Sequence, residues 1–476
     1  IFLGANRFKQ RQDIIYNIPI PMYVSYVQTD VAQNRIYVNL HVLQNISVPK
    51  PNMRATIAQK LARRQAHTPG LLYSLMVKLV MPILSKKLSP TFTFKAFPGK
   101  DKGPFVLISN HASRIDYLYT APACWPRKLN YVVGYNEFFL WPTSILLNAV
   151  GVIPKKNFTP DVHSIKQMMN IISQGGCICI MPEGMSSITG MAQPVMPGGG
   201  ALLKKLGVNV YYTKISGGYL ANTKHYLKQR NGKTEVVVDQ MFTGEELSGL
   251  TPEEIEDRMN SLLAHDDYIW NKEKQYSYDD NGDGMAAELD TLLYMCPKCG
   301  AMHKMLCEGN TMRCTECGNT ISIDNKYNIS AVGEGSVCPP LVTDWTIMER
   351  SNASEEVRTP GFRYSGHVRI GRLPEFRKLG LGKTSRICGD GILSLDTKGL
   401  HFEGHQDGSP LSFDIHPSSL PTFGMCTDIS RFYTFIKGEF IEFFPDRRDA
   451  LRWDHLVEEM HRFLGGKWQN TQYRHA

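Results

Sequence analysis

From Phe105 to Gly218 the chain alternates short apolar runs with segments of helical character, and this alternation restricts the fold more than any other feature. "FVLISN" (105–110), "LNYVVGY" (129–135), "GCICIMPEG" (176–184) and "VNVYYTKISGG" (208–218) have the length of strands. Between them lie "SRIDYLYTAPA" (113–123), "DVHSIKQMMNIISQG" (161–175) and "GGGALLKKLG" (198–207), which read as helices. Strands separated by helices pair in parallel, because each crossover lays a helix on a sheet face. The predicted class is therefore α/β, a mostly parallel sheet covered by helices, with its chemistry in loops at strand C-terminal ends.

A chain of 476 residues exceeds one hydrophobic core, and its 42% hydrophobic and 21% charged residues exclude a disordered chain. We divide it into an unassigned segment 1–51, an α/β domain over 52–285, a cysteine-containing module over 286–330 and a β-rich region over 331–476. In the first segment "PMYVSYV" (21–27) and "RIYVNLHVL" (35–43) read as strands without recognisable chemistry. "TPEEIEDRMNSLLAHDDYIW" (251–270) reads as a helix capped by Thr251, with Pro252 at its first position. The last region has short strands punctuated by Gly and Asp, then the helical "DRRDALRWDHLVEEMHRFLG", a pattern similar to a pleckstrin-homology-like domain.

Basic residues exceed acidic ones only 53 to 45, but they are unevenly placed. Between Lys50 and Lys102 there are eleven Lys and Arg against one acid, Asp101. Such a stretch is drawn to anionic surfaces. Within it, "LLYSLMVKLVMPIL" (71–84) is apolar apart from Ser74 and Lys78. Its 14 residues fall short of the roughly 20 that a span needs, so it is expected to lie at a membrane interface. "FFLWPTSILLNAVGVI" (138–153) is expected in the core. The expectation is a peripheral protein, at the cytoplasmic face of an anionic membrane, with no span.

"VLISNHASRIDYLY" (106–119) sets His111 just past a strand and Asp116 five residues later. Positions five apart are about 140° apart around a helix, so His111 must stand outside the helix for the two to meet. With Ser113 as N-cap, Asp116 falls at the third helical position, beneath the turn that carries His111. A carboxylate there fixes the imidazole tautomer and raises the basicity of the other nitrogen. The same S-x-x-D spacing is also an ordinary capping box.

Two further motifs follow in order, "GVIPKK" (151–156) and "IMPEGMSS" (180–187). Together with "NHASRID" they resemble the glycerolipid acyltransferase family typified by 1-acylglycerol-3-phosphate acyltransferases, over roughly residues 70 to 225. The resemblance implies transfer of an acyl chain from acyl-CoA or acyl-carrier protein to the hydroxyl of a lysolipid. His111 would be the general base and Asp116 its orienter. Asn110, Ser113 and Arg114 of the first motif, Lys155 and Lys156, and Glu183 and Gly184 would serve the acceptor. The family's arginines after Gly-x-Ile-Pro and after Pro-Glu-Gly-Thr are replaced here by Asn157 and Ser186. This leaves Lys155 and Lys156 as the nearby cations and admits an acceptor without a phosphomonoester.

"CPKCG" (296–300) and "CTECG" (314–318) form a C-x-x-C pair repeated after 14 residues. Cys296, Cys299, Cys314 and Cys317 are predicted to hold a structural Zn2+ ion, leaving His303 and Cys307 outside the ligand set. A zinc ribbon beside a basic stretch also admits a scaffold or nucleic-acid-binding protein. Nucleic acid is disfavoured because only Lys298, Lys304 and Arg313 lie between the outer cysteines, against Glu308 and Glu316. "DDNGDGMAAELD" (279–290) imitates a calcium loop, but its incoming segment alternates like a strand and its last position is Asp, so it is read as a linker turn.

Overall fold

The computed structural model describes residues 27–30, 35–38, 55–446 and 448–466. Residues 1–55 and 56–476 are two separate units. In the first, β1 (Val27–Asp30) and β2 (Arg35–Val38) pair antiparallel. The remainder of both strands expected there lies outside the described residues.

The second unit is built on a seven-stranded sheet of β3 (Pro90–Phe94), β4 (Phe105–Ser109), β5 (Leu129–Gly134), β6 (Ile153–Lys155), β7 (Cys177–Ile180), β8 (Asn209–Ser216) and β9 (Thr234–Phe242). Its order is β3-β9-β8-β4-β7-β5-β6, and every neighbouring pair is parallel except β8 with β9. All five residues of β4 are buried, as its unbroken apolar sequence requires of a central strand covered on both faces. Because β4 to β8 run the same way, the loops after β4, β6, β7 and β8 emerge at one edge. Helices Val162–Ser173, capped by Asp161, and Gly199–Leu206 fall within segments that read as helical, and Tyr117–Cys124 overlaps the third, ending one residue beyond it.

Three expectations need correction. The helix over 251–270 is two, Pro252–Leu263 and Asp267–Lys274, because the Asp266 side chain accepts the N–H groups of Tyr268 and Ile269 and starts a second helix. Ser113 is not the assigned N-cap: residues 114–116 form a turn and the helix begins at Tyr117. The 138–153 segment is core only in part: Phe138, Phe139, Val152 and Ile153 are buried and Leu147 and Val150 pack against this cluster, whereas Trp141, Ile145 and Leu146 are exposed.

The 71–88 segment is helical but irregular, running through Leu71–Leu75, a π-turn at Met76–Val80, and Met81–Ser85. Pro82 has no N–H to donate to the preceding turn, which accounts for the break in the α-helical ladder. Tyr73, Val77, Met81 and Leu88 face inward, whereas Leu71, Leu75, Leu79 and Ile83 are exposed. Among the described residues no helix is long and apolar enough to cross a membrane.

After the sheet, β10 (Met305–Glu308), β11 (Thr311–Cys314), β12 (Thr320–Ile323) and β13 (Ile329–Val332) form a four-stranded antiparallel sheet. The expected β-rich region follows as seven antiparallel strands: β14 (Arg363–Arg372), β15 (Arg386–Asp396), β16 (Gly399–Gln406), β17 (Ser409–Ile415), β18 (Gly424–Met425), β19 (Phe432–Ile436) and β20 (Glu439–Phe444). Their order is β17-β16-β15-β14-β20-β19-β18, and helix Ala450–Phe463 closes the region. An unanticipated helix, Val342–Arg358, joins these parts: Trp345 donates to the Met295 carbonyl at 2.7 Å, and Arg350 pairs with Glu459 at 2.8 Å.

Candidate functional site

β4 ends at Ser109, and Asn110 bridges to β8, accepting the Ile215 N–H at 2.8 Å and donating to its carbonyl at 2.9 Å. This two-way clamp anchors the turn that follows. His111 Nδ1 lies 2.8 Å from Asp116 Oδ2. Asp116 is buried, and its carboxylate also accepts the Ser113 N–H (3.0 and 3.1 Å) and hydroxyl (2.9 Å). Half of the capping-box geometry thus survives without Ser113 starting the helix. The arrangement assigns the imidazole proton to Nδ1 and leaves Nε2 with a lone pair, without a hydrogen-bond partner among the described residues. The His111 side chain is 24% exposed, enough for an incoming hydroxyl to reach it.

Five other His–Asp pairs, on four histidines, occur among the described residues, so pairing alone does not mark a site. Of these, His265–Asp267 also adjoins a strand end, but Asp267 accepts the Gly217 and Tyr219 N–H groups and so ties down the turn after β8. His111 stands instead beside the loop after β7, because β4 and β7 are neighbours with Ile108 opposite Ile180. The Ser187 N–H donates to the His111 carbonyl at 2.7 Å.

Glu183 is fully buried in that loop. Its oxygens accept the N–H of His111 (2.7 Å) and of Gln193 (2.8 Å). Burial pushes its carboxyl up to about 7, against the pull of those two donors. Gly184 has φ +83°, and a Cβ there would meet the Phe158 ring at 3.0 Å. Its N–H donates to the Met181 carbonyl, closing the turn.

The remaining predicted residues are placed less directly. Lys155 ends the edge strand β6, three strand spacings or about 14 Å across the sheet from β4. Its ammonium donates to the Lys156 carbonyl, and burial lowers its pKa. Lys156 Nζ donates to the Gly438 carbonyl of the C-terminal region at 2.6 Å, over the Tyr135 and Phe435 rings. Asn157 reaches back to the site, donating to the Gly184 carbonyl (2.9 Å) and the Tyr433 hydroxyl (3.3 Å). Arg114 donates to the Leu227 carbonyl.

Lys224 was not legible as a site residue, since it lies between β8 and β9 outside any motif. It is buried, and its ammonium donates to the Ser186 carbonyl (3.0 Å) and hydroxyl (3.1 Å). Burial lowers it to about 8; Cys426 and Asp454 oppose that shift, and Arg114 adds to it. A cation therefore stands beside Ser186 after all, delivered by the chain after β8.

Cys296, Cys299, Cys314 and Cys317 converge, with their sulfurs within 4.8 Å of one another. Cys296–Cys317 and Cys299–Cys314 are 3.7 and 3.8 Å apart. A tetrahedral ion with M–S near 2.3 Å requires about 3.8 Å, so the four residues fit a metal ion. Both knuckles repeat one backbone pattern: Gly300 N–H donates to the Cys296 carbonyl and Gly318 N–H to that of Cys314, each at 3.0 Å. Both glycines take positive φ there. His303 is engaged elsewhere, 3.1 Å from Asp449, and Cys307 is not in the cluster. In the calcium-loop lookalike, Asp283 accepts from Tyr226 and Lys228 and Asn281 donates to Gln229, so these side chains are drawn to the 226–229 segment instead of converging.

Residues 89–215 match the family model described as Acyltransferase. Among solved structures, the chain is similar to the 1-acyl-sn-glycerophosphate (LPA) acyltransferase PlsC from Thermotoga maritima, at 14% identity and a TM-score of 0.34, covering 42% of this chain and 82% of that one. No curated protein matches.

Proposed function

We propose, from the match of residues 89–215 to the acyltransferase family model, that the protein moves a fatty acyl chain from acyl-CoA or acyl-carrier protein to the hydroxyl of a lysophospholipid, with 1-acylglycerol-3-phosphate as acceptor. The observation that carries this reading is the His111–Asp116 pair at the end of β4, with Nδ1 committed to the carboxylate and Nε2 available. An alcohol is a weak nucleophile near neutral pH and needs a positioned base. His111 Nε2 takes the hydroxyl proton as the oxygen attacks the thioester carbonyl. When the tetrahedral intermediate collapses, the C–S bond breaks and the imidazolium returns its proton to the departing thiolate. Asp116 orients the ring and stabilises its charged form. Glu183 acts through the backbone by holding the His111 N–H.

A second reading, transfer to a lysolipid without a phosphomonoester, is favoured by Lys156, whose ammonium is committed to Gly438. A panel of lysolipids with and without a head-group phosphate, assayed as thiol release from acyl-CoA, separates the two. Absence of transfer with every acceptor and both donors sinks the proposal.

The four cysteines would hold Zn2+ in a closed thiolate site, stabilising the ribbon without entering the reaction. The exposed stripe Leu71, Leu75, Leu79 and Ile83, beside Lys78, Lys86 and Lys87, would dock peripherally on an anionic membrane of the cytoplasmic-leaflet kind.

A further inference from the structure

Before its end, where Thr384 and Ser385 donate to Glu442 of β20, the β14–β15 connection leaves its own sheet. It runs instead along the α/β domain: Leu379 donates to the Phe139 carbonyl at 2.9 Å and accepts from Trp141 N–H at 2.8 Å. Ile57 N–H donates to the Glu375 carbonyl at 2.7 Å, and Lys378 Nζ to the Ser144 hydroxyl at 2.7 Å. These bonds bury Leu379 and turn its neighbours outward. Phe376 is 50% exposed and Leu381 76%, beside Trp141 at 57% and Ile145 at 55%. Exposed apolar residues scattered singly are ordinary, but here they gather on two segments hydrogen-bonded to each other.

The same surface is cationic. Trp141 and Leu379 line an open depression with Arg377, Lys378, Lys383 and Arg386. Burial lowers the pKa of Lys378, and the nearby Lys60 ammonium adds to that shift. Arg386 is paired with Asp407 at 3.2 Å and Glu375 lies near it, which leaves Arg377, Lys378, Lys383 and Lys60 as the positive excess. Large apolar tips ringed by cations match a lipid interface, where acyl chains take the tips and anionic head groups the ammonium and guanidinium groups. Nucleic acid would satisfy the cations but leave aliphatic side chains such as Leu381 and Ile145 against phosphate and water. The surface is also continuous with the docking segment named above: His67, in the connection leading to Leu71, lies 3.1 Å from the Asn148 carbonyl in the helix that carries Ile145.

We infer that the 373–386 loop of the C-terminal region, with Trp141 and Ile145, is a second docking face for anionic lipid, so that the β-rich region helps seat the α/β domain on the membrane. This rests on the membrane reading given under the proposed function. The test uses the full chain with vesicles of phosphatidylcholine, with and without about 30% phosphatidylglycerol. Sedimentation should show binding that needs the anionic lipid. Phe376→Ser with Leu381→Ser should weaken it roughly ten-fold, and Lys378→Gln or Lys383→Gln roughly five-fold each, with thermal unfolding unchanged. Brominated lipid should quench tryptophan emission, and Trp141→Phe should remove most of that quenching. Binding lost on Leu79→Ser with Ile83→Ser but kept in every loop variant overturns this inference and leaves the membrane reading standing. A wild-type chain that ignores anionic vesicles, or that shows only salt-steep retention on duplex DNA, overturns both.

Discussion

Glu183 holds the backbone N–H of His111 at 2.7 Å with one carboxylate oxygen and that of Gln193 at 2.8 Å with the other. One buried side chain thus locks the turn carrying the base to the loop after β7. With its pKa raised to about 7 from 4.5, the folded protein binds this proton more tightly than the unfolded chain. Stability from that protonation is fully present below about pH 4.5 and is lost as the pH rises through about 7. Its size is on the order of 3 kcal/mol. Thermal unfolding followed across that window should show the decline in the wild type and not in Glu183→Gln. Parallel profiles would remove Glu183 as the titrating group.

His111→Ala should reduce thiol release at least a thousand-fold, and Asp116→Asn about a hundred- to ten-thousand-fold, because an amide in that position no longer enforces the Nδ1–H tautomer. Both follow from Nδ1 facing Asp116 Oδ2 at 2.8 Å. Turnover within ten-fold of the wild type in His111→Ala would end its assignment as base.

Lys224 offers a buried cation beside Ser186, the position at which the resemblance implies an arginine. Lys224→Met should raise KM for a lysolipid bearing a phosphomonoester by about ten-fold, as expected on losing one charge-assisted hydrogen bond. KM for an uncharged acceptor should change little. Equal effects on both acceptors would reduce Lys224 to a brace for the 183–187 loop.

Metal analysis should find one equivalent of zinc per chain in the Cys296, Cys299, Cys314, Cys317 cluster. Cys314→Ser or a strong chelator should lower the unfolding temperature, since the binding free energy of a closed thiolate site is folding free energy. Below that temperature, acyl transfer should persist. Loss of turnover in a chelated but folded protein would contradict a purely structural ion.

Much of the sheet was legible because strands covered on both faces leave an unbroken apolar signature, as in "FVLIS" and "CICI". β3, β6 and β9 were not. β6 is three residues containing Pro154, and the apolar run of β9, "TEVVVDQMF", is three valines between Glu235 and Asp239, too short for that signature. The cysteine knuckles were legible from spacing because a short metal-binding turn encodes its own geometry. The exposure of Trp141 and Ile145 was not, because an apolar run announces that it avoids water without saying what covers it.

Local chemistry determined which residues could react: a histidine beyond a buried strand, an acid five places on, and four cysteines in paired turns are fixed by short-range spacing. Tertiary structure decided which of them meet. Adjacency of β4 and β7 brings Glu183 to His111 across 72 positions, and the chain after β8 delivers Lys224. Packing of the C-terminal region on β6 takes Lys156 away to Gly438. Contacts made by such distant segments depend on strand order, and strand order leaves no imprint on the residues nearby in sequence.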